Sequence, residues 1–200
     1  MAVSAKVVTM NDTPFQSLKG HYLLAMPGLS DPNFARTVVF MCEHTPDGAM
    51  GFVVNRPNQL MGAMEIFQEF DLEAVMSAVD TPVYSGGPVQ LDEIFLLHGP
   101  PFSYEGTYLL SEAVALSNSM ETLTAVAKGE GPDSVAIFLG SSGWGAGQLE
   151  GELAGNVWLT LDSEACQDLI FSVPMEERWE TALNRLGIDP MLLSSDFGRA

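Results

Sequence analysis

The sequence predicts a single α+β domain, and three observations carry that reading. Strand-like runs crowd the first third of the chain and return through short turns. Helical stretches are mixed among strands without a regular βαβ rhythm. No internal repeat, low-complexity tract or linker divides the 200 residues. Hydrophobic residues make up 46% of the chain, an ordinary globular share. A chain of this length buries roughly 70% of the surface its unfolded form exposes, so it needs no staple.

The elements follow in order. Residues 1–17 show no clear periodicity and read as a loosely ordered N-terminal arm; residues 18–200 form the domain. His21–Met26 is a strand ended by Pro27-Gly28, and Asp31-Pro32-Asn33-Phe34 is a turn. Thr37–Glu43 and Met50–Asn55 are two strands joined by Thr45-Pro46-Asp47-Gly48, where Pro presets φ and Gly tolerates positive φ. Arg56-Pro57 breaks the second strand. Gln59 to Val79 has helical spacing, with Met64, Phe67, Leu72, Val75 and Met76 as its buried positions and Gly62 and Asp71 as points of division. Pro82–Ser85 and Glu93–His98 are strands, and Thr107–Leu116 contains another. Asn118–Lys128 is a helix with Asn118 as its cap and Glu121 completing a capping box. Asn156–Leu161 is a strand. Pro174–Leu186 is a helix with Met175, Trp179 and Leu183 along one stripe, Ala182 and Leu186 beside it, and Gly187 closing it.

The stretch Val135–Glu150 bears most on function. An apolar run, Val135–Leu139, reads as a buried strand ended by Gly140. Gly140, Gly143, Gly145 and Gly147 then make a glycine-rich turn, and Leu149 and Leu153 lie at helical spacing. A strand–turn–helix junction offers free backbone N–H groups to an anion. The structural alternative is a tight turn with close helix–strand packing and Trp144 plugging the core.

Charge excludes some functions. Eight Lys and Arg against 26 Asp and Glu give a formal net charge of −18. No Lys or Arg lies between Arg56 and Lys128, or between Lys128 and Arg178. Such a chain lacks the clustered cations that neutralise phosphates, so direct nucleic-acid binding and anionic membrane surfaces are disfavoured. The acidity reads as a solvated surface or as a docking face for a basic partner. Cys42 and Cys166 lie far apart and read as free thiols in a reducing compartment. There is no signal-peptide core and no membrane-spanning run, which predicts a cytoplasmic protein.

Several stretches resemble the AlgH/YqgE family of bacterial proteins: Leu18–Pro27, Phe34–Phe40, Gly51–Pro57, Gly86–Val89, Leu97–Gly99, Gly143–Glu150, Trp158-Leu159 and the Pro174 helix. Together they span almost the whole chain after residue 17. Where the family has Gly-Tyr-Ala, this chain has Gly140-Ser141-Ser142. The resemblance implies an α+β fold with a small closed or bifurcated, mainly antiparallel β-sheet surrounded by helices. Members are often labelled transcriptional regulators through a link with alginate production, an association that fixes no molecular activity.

These readings yield one candidate pocket and no catalytic assignment. Its rim is Asn55, Arg56, Gly86, Gly87, His98, Ser142, Trp144 and Gln148. Arg56 stands out because cations are scarce; it would grip a carboxylate or phosphate, or serve a structural ion pair. The function expected is a non-enzymatic binding or regulatory module acting through a protein partner or small ligand, affecting transcription indirectly. The alternative is a hydrolase-like enzyme with Ser142 as nucleophile, His98 as base and Asp92 or Asp133 as orienter. Gly140-Ser141-Ser142-Gly143 misses the nucleophile-elbow spacing by one residue. A dinucleotide fingerprint fails because its third glycine position is Gln148, and no Lys follows the glycines as a P-loop requires. His21, His44 and His98 sit on separate segments, so no metal site and no resident cofactor are expected. Strand alternation would put Cys42 and His44 on one face.

Overall fold

A computed structural model describes residues 15–162 and 168–193. Among the described residues, the nine strands are β1 (His21–Ala25), β2 (Val38–Thr45), β3 (Gly48–Val53), β4 (Val83–Ser85), β5 (Val89–His98), β6 (Tyr108–Leu109), β7 (Ala115–Ser117), β8 (Val135–Gly145) and β9 (Trp158–Asp162). The α-helices among the described residues are α1 (Ala63–Glu69), α2 (Met120–Ala127), α3 (Gln148–Ala154) and α4 (Arg178–Arg185). The sheet runs β6-β7-β5-β8-β3-β2-β1-β9, with β4 added to β8 off this path. Every pairing is antiparallel except β4 with β8.

Alternation along the strands sorts side chains onto two faces. Tyr22, Phe40, Phe52, Tyr84, Phe95 and Phe138 fill one face, where Trp179, Ala182 and Leu183 of α4 close the cluster. On the other face, α1 and α2 bring Ile66, Phe67, Leu123 and Val126 onto Leu96 and Ile137. Farther along that face, Leu149 of α3 joins Trp144, Trp158, Leu23 and Met41. The sheet curls enough for residues from opposite ends of its path to meet: Lys19, just before β1, donates to the Tyr108 hydroxyl and the Leu109 carbonyl of β6 at 3.2 and 3.3 Å. β6 and β9 end the path without pairing to each other, so the sheet is curled but not closed by a strand ladder.

The β2–β3 hairpin has the expected turn, with Thr45 opposite Gly48. Elsewhere local signals misplace element limits. The strand expected to stop at Gly140 continues to Gly145. The helix expected from Gln59 to Val79 is short: α1 stops at Glu69, Asp71 adopts φ +54°, and only a single 3-10 turn follows at Met76–Ala78. Met64 is half-buried and Phe67 buried, whereas Val75 and Met76 are exposed. Ser119, not Asn118, caps α2, its hydroxyl accepting from the Thr122 amide at 3.2 Å. Thr107–Leu116 holds β6 and the start of β7.

A β-bulge between Met41 and Glu43 overturns the shared face of Cys42 and His44. Cys42 packs in the Phe40–Phe52 cluster. His44 pairs with Ala49, a member of the Trp144 cluster on the other face. Residues 1–14 of the expected arm and Cys166 lie outside the described residues. No helix among the described residues is long and apolar enough to cross a membrane.

Burial also holds the Cys42 thiol neutral by pushing its pKa up, with weaker opposing influence from Lys19. In a Cys166→Ser background, a thiol reagent should therefore modify Cys42 at least on the order of a thousandfold more slowly in native protein than in denatured protein, since access requires opening of the core. Comparable rates in the two states would contradict the buried placement.

Candidate functional site

The polar and glycine-rich segments converge where β8 changes neighbours. Val135–Leu139 lie between β5 and β4, with Val83 beside Ile137 and Ser85 beside Leu139. After Gly140, β8 pairs with β3 instead, Gly51 facing Ser142 and Ala49 facing Trp144. The sheet thus forks along one side of β8. The Gly86-Gly87 turn fills the fork: the Gly86 amide donates to Leu139 O at 2.9 Å, and Gly86 O accepts from the Val53 amide at 2.8 Å. A Cβ on Gly86 would collide with the Gly140 carbonyl, and one on Gly87 with the Ser141 carbonyl and Ser142 Oγ. Gly140 itself adopts φ +71°, a left-handed conformation that other residues take only at a cost. This kink turns the strand over, so that Phe138 and Trp144 face opposite sides despite even spacing.

The kink leaves room for an excursion of β5. Val89 pairs with Ser141 and Ile94 with Leu139, so residues 90–93 oppose Gly140 alone. A side chain on Gly140 would meet Val89 O at 2.9 Å and Leu91 Cδ2 at 3.2 Å. Gln90 adopts φ +52° and is pinned: Ser141 Oγ donates to its Oε1 at 2.7 Å, and its Nε2 donates to Glu93 Oε1 at 3.2 Å. Val89 and Leu91 are 41% and 67% exposed, and Asp92 and Glu93 beside them are also exposed. The result is an anchored apolar knob flanked by two carboxylates.

Of the expected rim, the structure brings Gly86, Gly87 and Ser142 together. Ser142 is buried within β8, and its hydroxyl donates to Gly86 O at 3.0 Å. His98 pairs with Val135, seven positions up the strand from Ser142, or roughly 20 Å away. Its Nδ1–H donates to Gly99 O at 2.7 Å, and its buried Nε2 has no partner among the described residues. Asn55 bridges backbone, accepting from the Val38 amide and donating to Arg36 O. Arg56 Nη1 donates to the Pro32 and Asn33 carbonyls at 2.8 Å each, and Nη2 to Ala35 O at 3.3 Å. Its guanidinium therefore clamps the 31–36 loop and forms no ion pair among the described residues.

Trp144 and Gln148 belong to a second constellation centred on Glu152, a residue without a sequence signal. Glu152 Oε2 accepts both indole N–H groups, Trp144 at 2.8 Å and Trp158 at 2.7 Å; its Oε1 accepts from Gln148 at 2.9 Å. Phe34 packs against both indoles, its ring centroid 6.1 and 5.6 Å from theirs. Sequence reasoning also missed Arg178, a buried cation whose donors go to the Val173 and Val54 carbonyls, with its guanidinium over the Tyr84 ring. No group of three or more His, Cys, Asp or Glu side chains is arranged to hold a metal among the described residues.

The fold recurs in known proteins. A model of the AlgH-like family matches residues 22–191. A UPF0301 protein of Thioalkalivibrio sulfidiphilus is 43% identical over 188 residues, covering 94% of this chain and 100% of that one. A UPF0301 protein of Rhodospirillum rubrum is 43% identical over 183 residues, covering 92% and 94%. The solution structure of the AlgH protein from Pseudomonas aeruginosa matches with a TM-score of 0.72 and 42% identity over 96% of this chain and 100% of that one. A crystal structure of a Corynebacterium diphtheriae protein, 18% identical, shares the fold with a TM-score of 0.67 over 87% of this chain and 88% of that one.

Two outcomes test the arrangement. Glu152→Ala would strand two buried indole N–H groups and should cost about 2–4 kcal/mol in urea unfolding, with Glu152→Gln costing less because its amide oxygen still accepts. The second concerns His98, whose pKa is held below its ordinary 6.5 chiefly by desolvation, partly offset by its bond to Gly99 O. The folded state keeps this ring neutral, while the unfolded chain takes up a proton near 6.5. Its contribution is thus full above that pH and declines as pH falls below it, by at most about 1.4 kcal/mol per pH unit. Unfolding free energies at pH 7.5 and 5.5 should differ less in His98→Leu than in the wild type.

Proposed function

The chain belongs to the AlgH-like family, and on that footing we propose that it is a cytoplasmic, non-enzymatic binding module that regulates through a basic protein partner. No molecular activity is established for the family, so the reading rests on the residues. One observation carries it: the excursion at Val89–Glu93, which holds two exposed apolar side chains out beside two carboxylates. No Lys or Arg occurs from residue 57 to 127 to neutralise them. A partner that covers Val89 and Leu91 desolvates apolar surface, and its cations complement Asp92 and Glu93. A second copy of this chain would bring like charge to the same place, and nucleic acid would bring phosphates. An effect on transcription is then indirect.

The chemistry of the serines favours the same reading. Ser141 and Ser142 have their hydroxyls committed to Gln90 and to Gly86 O, and no imidazole lies within reach of either. A nucleophile needs a base at hydrogen-bond distance and an open approach.

Two measurements on purified protein decide the matter. Fluorescence anisotropy of a labelled lysine–leucine amphipathic peptide should show binding at moderate salt. It should weaken at least about tenfold, or about 1.4 kcal/mol, in Val89→Ser/Leu91→Ser. Met76→Ser, which removes an exposed apolar side chain elsewhere, should bind like the wild type. Equal affinity in both variants would remove the excursion as the docking point. Hydrolysis of p-nitrophenyl acetate should run at the buffer rate in wild type and in Ser142→Ala alike. A rate above buffer that Ser142→Ala abolishes would establish the hydrolase reading instead.

A further inference from the structure

One cation is left unpaired by the fold. Among the described residues, Lys19, Arg36, Arg56, Arg178 and Arg185 are all held by carbonyls, carboxylates or rings, whereas Lys128 makes no hydrogen bond or ion pair. Lys128 caps the C-terminal end of α2 and lines a cavity of about 470 Å³ that the helix shares with Tyr104 of the 99–106 loop. That volume is within the roughly 300–1,000 Å³ of small-molecule sites. Glu121 and Glu130 line the same cavity, and neither pairs with Lys128. Glu121 stands seven residues before Lys128, roughly 10 Å along the helix axis. Its Oε2 is held by the Glu105 amide at 2.8 Å. Glu130 lies past the turn at Gly129, which adopts φ +71°, and its carbonyl accepts from the Tyr104 hydroxyl at 3.2 Å. Charge of both signs therefore faces one cavity without meeting. The remaining wall is apolar: the Tyr104 ring and Met120, which is 47% exposed. Behind Tyr104 stands the buried His98 ring, edge-on with centroids 6.0 Å apart.

We propose that this cavity binds a zwitterion of amino-acid or dipeptide size. Its carboxylate meets Lys128, its ammonium meets Glu121 and Glu130, and its apolar side chain lies on Tyr104 and Met120. A ligand of one sign fits less well. A phosphate or simple carboxylate would gain Lys128 and face two carboxylates. A simple amine would gain the carboxylates and leave Lys128 opposed. Only a ligand with both charges complements all three groups, and each contact is then a charge-assisted hydrogen bond. The Tyr104 ring and the Met120 thioether add a face for an apolar or aromatic side chain. A lysine at the end of α2 also complements the negative end of the helix dipole. That role needs neither the two carboxylates nor the tyrosine, and it predicts no preference between ligands. The site is separate from the excursion at Val89–Glu93 and does not rest on the docking proposed there.

An NMR titration of the intact protein with glycylphenylalanine tests this, followed at the Met120 methyl, the Tyr104 ring and Lys128. The shifts should saturate with a dissociation constant at or below about 1 mM. The His98 ring, in contact with Tyr104, should shift along with them. The N-acetylated dipeptide, which lacks the ammonium, and the C-terminal amide, which lacks the carboxylate, should each bind at least about tenfold more weakly. Lys128→Met should erase the preference for the free carboxylate, so that dipeptide and amide bind alike. Glu121→Gln/Glu130→Gln keeps an oxygen for the Glu105 amide and should erase the preference for the free ammonium. These side chains are exposed, so both variants should keep the wild-type Tm. Val89→Ser/Leu91→Ser should bind the dipeptide like the wild type. No saturation up to about 10 mM would overturn the site, as would equal binding of the three peptides. A preference for the free carboxylate that survives in Lys128→Met would also overturn it, leaving the lysine as a helix-end charge.

Discussion

The architecture depends on a close approach of backbone to backbone at Gly140. A strand can hold only one neighbour on each side at any level, yet β8 has β4 and β3 on the same side. The changeover is possible because the Gly86-Gly87 turn enters the gap and trades hydrogen bonds with Leu139 and Val53. No side chain fits there on either partner. The same positive φ at Gly140 reverses the facing of β8, which delivers Trp144 to α3 after Phe138 has served the opposite cluster. Fork, face reversal and β5 excursion are therefore one event seen from three strands. A larger residue at this point would force all three to move together, which is why the glycines here are architecture first.

How much of this could be read in advance depended on whether the deciding contact was local. The β2–β3 hairpin and the α4 stripe were legible because turn chemistry and periodicity act within a few residues. The end of β8 was not, because a glycine that stops a strand and one that turns it over look identical in sequence. The false helix beyond Glu69 came from apolar spacing that continued while the backbone did not; Val75 and Met76 fit the period yet face solvent. The bulge at Met41–Glu43 has no signal, so alternation put Cys42 and His44 on one face when they lie on two. Among site residues, the Gly86, Gly87 and Ser142 grouping was legible from composition. Gln90 and Glu152 were not, since each acquires its role from partners 51 and 8 residues away, respectively. Arg56 was singled out by its rarity, but its acceptors are carbonyls at positions 32, 33 and 35, which no charge pattern reveals.

The fate of the cations connects the fold to the surface. Arg56 and Arg178 are consumed by backbone carbonyls, and Lys19 by a tyrosine and a carbonyl. Arg36 and Arg185 do pair with acids, Glu180 and Asp168, and Arg36 also lies over the Trp179 ring. The Arg185–Asp168 pair is bidentate, with both distances at 2.7 Å, and the guanidinium draws the Asp168 pKa down. The protein thus uses positive charge as internal fastening and spends little of it offsetting its 26 acids. Two carboxylates, half-buried Glu152 and exposed Glu150, act as acceptors for indole and imidazole N–H groups without a cation from Lys or Arg. What remains is a net charge of −18, a negative field that the eight cations offset only in part. Such a field repels a second copy and polyanions alike, and it lowers the approach barrier for a basic partner. Long-range attraction of that kind is unselective, since it falls on the whole acidic surface. On the proposed reading, selectivity comes from short-range fit at Val89 and Leu91, on an excursion whose shape is fixed by Gln90 and Gly140.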